Sequence, residues 1–434
     1  MDTLSQLKSG KLAGIRRLDL SCNLMQFPEE IYDLADSIEI LNLSGNALTD
    51  LPDDLPRLSK LRVIFCSDNR FTHLPDVLGK CQQLEMVGFK ANRIKNLSAS
   101  SLPAALRWLI LTDNELEGVP GQLGQCSRLQ KLMLAGNRLQ HLPDKMAECQ
   151  QLELLRISAN RLEALPDWLF SLPRLSWLAY AGNPFSDAFE KASKLAVRKI
   201  GWHELDLQHK LGEGASGVIH KADWQAPEGV MPVAVKFFKG EVTSDGLPRS
   251  EEAACLAAGT HPNLISATGK IIGHPENASG LVMPLVDESF ASLAGPPSLE
   301  SCTRDIYSAE TGFSLEFALA IARGVVAALE HLHAQGIMHG DVYAHNLLWN
   351  KRRDCVLGDF GAASFIPEGR QADKLRRIEV RAFACLLEEL LARCTAPVPE
   401  VLWELQRSCM QENVEARPLF AEICKSLAQQ DCSN

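Results

Sequence analysis

Three glycines, Gly212, Gly214 and Gly217, form a GxGxxG run. Lacking side chains, such residues let backbone amides close on phosphate oxygens. Dinucleotide-binding folds share the run, so its neighbours decide what it does. Ile219 stands two beyond the last glycine, and Val233-Ala234-Val235-Lys236 follows as an apolar stretch ending on a cation. Val218 to Ala222 reads as strand, whereas a dinucleotide fold requires a helix directly after the glycines. Farther on, His339, Asp341 and Asn346 complete an HxDxxxxN pattern, and Asp359-Phe360-Gly361 begins thirteen residues after Asn346. Glycine loop, buried cation and spaced carboxylates in this order point to phosphoryl transfer.

Over nearly all of Glu204 to Gln430 the sequence resembles the protein kinase family, with the motifs in family order. The resemblance implies an ATP site with Gly212, Gly214, Gly217 and Ile219 over the phosphates. Lys236 would be held by a helix glutamate, Glu252, nine residues before His261 of the His261-Pro262-Asn263 segment, with Glu251 as the alternative. Met283 would be the gatekeeper, Pro284 and Val286 would offer backbone groups to adenine, and Ala234 and Leu348 would sandwich its faces. Asp341 would orient the acceptor hydroxyl, while Asn346 and Asp359 would hold Mg²⁺, which prefers hard oxygen ligands. His339 would brace the catalytic loop through its backbone. His331 and His333 read as packing or capping residues of the preceding helix, Phe317 to Gln335.

The departures from that family are informative. Gly340 stands where the family has an arginine that contacts a phosphorylated activation loop, and the loop itself is nearly missing. Pro367-Glu368, seven residues past Gly361, resembles the end of the family's APE motif. Arg417 would pair with Glu368, and Glu379 would start the next helix in place of an aspartate. Activity is therefore expected not to depend on activation-loop phosphorylation, with control coming from elsewhere in the chain. Tyr343 and His345 carry neither the lysine usual in serine/threonine kinases nor the arginine of many tyrosine kinases, so the acceptor stays open between them. A protein hydroxyl, serine or threonine before tyrosine, is the first expectation. A small-molecule or sugar kinase of the aminoglycoside-phosphotransferase type, or an ATP-binding pseudokinase scaffold, are the alternatives.

The elements that position these residues follow a repeat array. Asparagines recur at Asn23, Asn46, Asn69, Asn92, Asn114, Asn137, Asn160 and Asn183, every 22 or 23 residues, each preceded by apolar residues at fixed offsets. The pattern resembles the leucine-rich repeat: a short strand, a turn and an irregular return, with stacked neighbours burying one continuous core. The asparagine side chains are expected to bond turn backbone in a ladder. Alternate strand residues point out of the core. Val63, Phe65, Met86, Trp108, Ile110, Met133, Leu154 and Trp177 should thus form an apolar stripe on the concave face. Such a stripe suits a protein substrate, a regulator or the chain's own second domain; the bland alternative is that neighbouring side chains cover one another. Ser186 to Ile200 reads as a capping helix with Lys191, Lys194, Arg198 and Lys199 on polar faces.

The chain has 434 residues, and one core rarely exceeds roughly 250–300 residues, so two domains are expected. We expect an α/β leucine-rich repeat solenoid over 1–185, a capping helix or linker over 186–203, and a two-lobed α+β kinase-like domain over 204–434, its lobes meeting near 286. The net charge of −10 disfavours nucleic acid as a partner. Thirteen cysteines without a CxxC argue against both a disulfide scaffold and a zinc ribbon. Cys81, Cys126 and Cys149, each twelve after an asparagine, read as small buried side chains. No stretch has the length and apolarity of a membrane span. The expected setting is the cytoplasm, with ATP and Mg²⁺ as the small-molecule partners.

Overall fold

The structure is a computed structural model and describes residues 3–187, 198–214, 216–240 and 242–429. The chain divides into two compact units, Met1–Leu172 and Pro173–Asn434. The division lies ahead of the expected boundary at 185, because the last repeat strand packs within the second unit.

The first unit opens with helix α1 (Thr3–Lys8). Seven three-residue strands follow: β1 (Arg17–Asp19), β2 (Ile40–Asn42), β3 (Val63–Phe65), β4 (Met86–Gly88), β5 (Trp108–Ile110), β6 (Lys131–Met133) and β7 (Leu154–Arg156). Each pairs in parallel with the next, residue for residue at the repeat spacing. The middle residue of each strand, such as Leu41, Ile64, Leu109 and Leu132, is fully buried. Short 3-10 turns carry the chain back, several starting just after a proline.

The asparagine ladder is present. Asn137 Nδ2 donates to the Leu134 and Leu111 carbonyls at 3.0 and 2.8 Å, and its Oδ1 accepts from Leu116 N at 3.0 Å. Asn69, Asn114 and Asn160 do the same one repeat apart. Each side chain thus satisfies backbone groups in two successive turns that burial would otherwise leave unpaired. Cys81, Cys126 and Cys149 are buried, and burial pushes their thiols up to about 11, 11 and 12, as befits packing residues.

The concave stripe is less open than expected. Val63, Met86, Met133 and Leu154 are buried, and Phe65, Trp108 and Ile110 only partly exposed. Neighbours account for part of this. Phe65 covers Gly88 so closely that a Cβ there would lie 2.5 Å from its ring, and Lys131 Nζ sits 4.2 Å over the Trp108 ring.

The second unit begins with β8 (Trp177–Ala179), the strand of the last repeat. Of the stretch expected as a capping helix, Ser186 and Asp187 are helical, and 188–197, with Lys191 and Lys194, lie outside the described residues. Its end is a strand instead, β9 (Lys199–Gly201), paired in parallel with β13 (Gly269–Ile272). Arg198 lies 4.4 Å over the Trp224 ring.

The smaller lobe is completed by β10 (Leu205–Glu213), β11 (Gly217–Ala226), β12 (Gly229–Phe238), β14 (Gly280–Pro284) and helix α2 (Pro248–Ala257). Its six strands run in the order β10-β11-β12-β14-β13-β9. Alternation along β11 and β12 buries Ala222, Trp224, Val233 and Val235 with Ile200, Ile271 and Val282.

The larger lobe is mainly helical: α3 (Leu315–Ala334), α4 (Ala372–Ala392), α5 (Glu400–Cys409) and α6 (Phe420–Gln429). Ser314 caps α3 by accepting from Phe317 N at 3.1 Å. Helix α4 begins seven residues before Glu379, which therefore lies inside the helix rather than at its start. Short pairs carry the loops: β15 (Ala291–Ser292), β17 (Leu347–Trp349) and β18 (Cys355–Leu357) in one sheet, β16 (Ile337–Met338) with β19 (Ser364–Phe365) in another. Asn263 of the His261-Pro262-Asn263 segment ties the lobes, donating to the Cys355 carbonyl at 2.9 Å.

Candidate active site

Strands β10 and β11 are antiparallel and joined by the glycine turn, in which Gly214 N donates to Gly217 O at 2.9 Å. The glycines differ in why they are glycines. A Cβ on Gly217 would lie 2.3 Å from the Phe237 carbonyl, so β12 admits nothing larger. A Cβ on Gly212 or Gly214 would meet nothing within 4 Å. The chain itself leaves that side of the loop open, as a phosphate group closing on the amides requires.

Lys236, opposite Ile219 and Leu281 in the sheet, is buried. Its ammonium pairs with Glu251 Oε1 of α2, not with Glu252. Glu252 turns the other way, to Lys270 Nζ at 2.5 Å and Ser279 Oγ at 2.6 Å. Adjacent residues on a helix lie about 100° apart, so only one can face the cleft. Burial raises the Glu251 pKa above the usual carboxylate range; Lys236 opposes the rise and Asp359 adds to it.

A cavity of about 200 Å³ lies between the lobes. Of the anticipated residues, Gly214, Gly217, Ile219, Lys236, Met283 and Asp359 line it. Gly212, Ala234, Pro284, Val286, Leu348, Glu252, Asp341 and Asn346 do not. Ala234 is paired with Met283 across β12 and β14, Pro284 ends β14, and Leu348 lies on β17. Asp245 and Cys255, which belong to no motif, also line the cavity, together with Ile265 and Leu281.

In the catalytic loop, Asn346 Nδ2 donates to Asp341 Oδ2 at 2.8 Å and to the Asp341 carbonyl at 2.9 Å. His339 Nδ1 accepts from Asp341 N at 3.3 Å, which leaves Nε2–H to donate to the Gly358 carbonyl at 2.9 Å. One imidazole so links the loop bearing Asp341 to the residue before Asp359. Asp359 is exposed and holds φ at +56°, a strained conformation for a residue with a side chain. Its Oδ1 accepts from Gly361 N at 3.1 Å.

Glu379 braces the loop from α4. Its Oε1 accepts from Gly340 N at 2.6 Å and its Oε2 pairs with His333 Nε2 at 2.7 Å. Burial pushes this carboxyl up, but His333, His339 and the Gly340 amide outweigh it and hold it below the usual range. His331 caps the Ala258 carbonyl at 2.7 Å. The expected Glu368–Arg417 pair is not formed. Glu368 is exposed, whereas Arg417 is buried and donates to three carbonyls, of Gln411, Arg377 and Pro173, at 2.8, 3.1 and 2.9 Å.

Trp177, expected on a partner-binding stripe, has its partner within this unit. Its ring stacks on Tyr343 at 4.4 Å and 6°, and its Nε1 donates to the Val342 carbonyl at 3.0 Å. Asp305, which no motif signalled, accepts from His345 N at 3.0 Å and pairs with His345 Nδ1 at 2.7 Å.

Oxygen donors from Asp359 and Asn346 fit Mg²⁺, which takes one or two protein ligands and fills its shell with water and phosphate. Among the described residues no cluster of three or more His, Cys, Asp or Glu side chains forms a metal cage.

Comparison with known proteins agrees with this geometry. Residues 205–385 match the protein tyrosine and serine/threonine kinase family, and residues 37–58 and 127–185 match leucine-rich repeat families. Megakaryocyte-associated tyrosine-protein kinase of Mus musculus is 27% identical over 55% of this chain and 52% of its own length. Serine/threonine-protein kinase Kist of Rattus norvegicus is 29% identical over 46% of this chain and 49% of its own. A probable serine/threonine-protein kinase of Dictyostelium discoideum is 29% identical over 42% of this chain and 10% of its own. The chain thus spans about half or less of these relatives. It carries leucine-rich repeats followed by a domain of the protein tyrosine and serine/threonine kinase family.

Proposed function

We propose that the chain transfers the γ-phosphoryl of ATP, in a Mg²⁺-dependent reaction, to a protein hydroxyl, serine or threonine in preference to tyrosine. The observation that carries this is the meeting of Lys236, paired with Glu251, and Asp359 at one cavity, while Asp341, bonded to Asn346, is tied through His339 to Gly358, the residue before Asp359. When bound, MgATP supplies the phosphoryl group and the charge that neutralises its oxygens. Lys236, steadied by Glu251, would orient the α and β phosphates. Gly212, Gly214 and Gly217 would cover them with backbone amides, Ile219, Ala234 and Leu348 would enclose the base, and Pro284 and Val286 would offer it backbone groups. Asn346 and Asp359 would hold the metal. Asp341, aimed by Asn346 and His339, would take or orient the hydroxyl proton.

Transfer would not be gated by activation-loop phosphorylation, since six residues separate Gly361 from Glu368. The repeats would recruit a protein substrate or regulator, as leucine-rich repeats generally bind proteins. The buried thiols of Cys66, Cys255, Cys355 and Cys409, which form no disulfide, suit a reducing compartment such as the cytoplasm. No described helix is long and apolar enough to cross a membrane.

The test is γ-phosphate transfer with Mg²⁺ on the full chain, alone and with cell lysate. Asp341→Ala and Lys236→Ala should each lower the rate by about 10²-fold or more. Acid-stable label on protein, lost in both variants, supports the reading. Label on small molecules only, or ATP binding without turnover, overturns it.

A further inference from the structure

Strand β8 and its flanks depart from the other repeats at two positions. Seven residues before each asparagine the earlier repeats carry Arg16, Glu39, Arg62, Glu85, Arg107, Gln130 and Glu153; the last carries Ser176. Three before, they carry Leu20, Leu43, Cys66, Phe89, Leu111, Leu134 and Ile157; the last carries Tyr180. Both departures face the catalytic machinery of the same unit. Ser176 Oγ accepts from Arg381 Nη1 of α4 at 2.9 Å. Tyr180 N donates to Ser364 Oγ at 3.1 Å, and Tyr180 Oη donates to the Phe365 carbonyl at 3.2 Å.

Between these two, Trp177 grips the catalytic loop through Val342 and Tyr343. The fit is close: a Cβ on Gly340 would lie 2.7 Å from the Leu178 carbonyl and 2.6 Å from that of Ala362. The strand adds to the contacts that Glu379, His339 and Asp305 make with the catalytic loop. The stretch from Ala362 to Ile366 is buried and contributes one two-residue strand, β19, to a two-stranded pair, so Tyr180 adds two hydrogen bonds to a segment with few ladder bonds of its own.

We propose that Trp177 and Tyr180 are positioning residues for phosphoryl transfer: the last repeat strand clamps the catalytic loop and the segment after Asp359-Phe360-Gly361 in the arrangement that presents Asp341. The clamp is built into the fold and requires no modification of the segment it holds. Its catalytic consequence rests on the kinase reading above; the clamp itself does not.

The experiment uses the full chain. Trp177→Ala, Trp177→Phe and Tyr180→Phe are compared with the parent by hydrogen–deuterium exchange of peptides covering 338–346 and 362–367, alongside kcat and the KM for ATP. Trp177→Ala should raise exchange in both segments and lower kcat by roughly tenfold, with the KM for ATP within about twofold, because most of the proposed nucleotide contacts, from the glycine turn, Ala234, Lys236, Pro284 and Val286, lie in the smaller lobe and its edge, away from the clamped segments. Trp177→Phe, which keeps a ring over Tyr343, should recover part of kcat. Tyr180→Phe, losing one hydroxyl, should loosen 362–367 alone and reports on the clamp even if Trp177→Ala misfolds. Unchanged exchange in Tyr180→Phe and in every folded Trp177 variant overturns the proposal, and so does a rise in kcat, which would make the strand a cover. A parent chain that transfers no phosphate sinks the kinase reading, while exchange still decides the clamp.

Discussion

Two neighbouring glutamates show how finely the site is specified at the residue scale. Glu251 and Glu252 have the same chemistry and lie on one helix, yet only Glu251 meets Lys236. Removing the Glu251 charge leaves a buried ammonium without its partner and, on the proposed function, without the group that would orient it toward the phosphates. Glu251→Gln should therefore lower kcat/KM by about 10- to 100-fold. Glu252→Gln breaks a bond to a lysine whose side chain is 42% exposed and should stay within about threefold of the parent in the same assay. Glu379 allows a test by pH. Its folded pKa is depressed, so its ionised form contributes stability that is present above the unfolded carboxylate range and is lost as pH falls through the folded value. Glu379→Gln lacks that contribution. Melting temperatures followed from pH 6 to about 3 should fall more steeply for the parent than for the variant; parallel curves would count against the assignment. The motif residues themselves were legible in the sequence because their types and spacing are dictated by phosphate and metal chemistry. The choice between two adjacent glutamates was not, because it depends on where α2 starts and how it turns, which a nine-residue count from His261 does not fix.

The repeat strands and the glycine-loop strands were readable as elements from period and alternation alone. The asparagines from Asn46 to Asn160 stand where the ladder needs an amide, and each strand's middle residue is buried. What spacing did not reveal is what covers an element once it is folded. The expected pairing of Glu368 with Arg417 failed because three backbone carbonyls satisfy the guanidinium first. Gly340 is the sharpest case. Read along the sequence it is an arginine with nothing to contact; in the fold it is a residue with no space, at φ +75°, between the Leu178 and Ala362 carbonyls. Both accounts agree that arginine is excluded, but only the second predicts that alanine is excluded too. Gly340→Ala should cost about 1–3 kcal/mol by thermal or denaturant unfolding. It should also lower kcat, since the displaced atoms belong to the loop bearing Asp341. A variant as stable and active as the parent would show that the strand yields readily at this point.

For the whole molecule, the compact division between Leu172 and Pro173 separates two jobs for the repeats. The last strand belongs with the kinase lobes and, on the clamp proposal, would act on the rate of transfer. The earlier strands, with Val63, Phe65, Met86, Trp108, Ile110, Met133 and Leu154 along one face, would on the proposed function be left to choose a protein partner. Repeat stability is roughly a sum of intrinsic and nearest-neighbour contributions, so trimming from the N-terminal end removes it in steps rather than at once. Chains beginning at residues 25, 48 and 71 should therefore melt at successively lower temperatures. Once a natural protein acceptor is in hand, they should show a rising KM for it, with kcat and the KM for ATP within about threefold of the full chain. A chain beginning at 198, which lacks Trp177 and Tyr180, should lose kcat even where it still binds nucleotide. If the early truncations lower kcat as strongly as loss of the last strand does, the array acts as one regulatory body. If they leave the acceptor KM unchanged, recruitment by the concave face is wrong, and its half-buried aromatics serve packing alone.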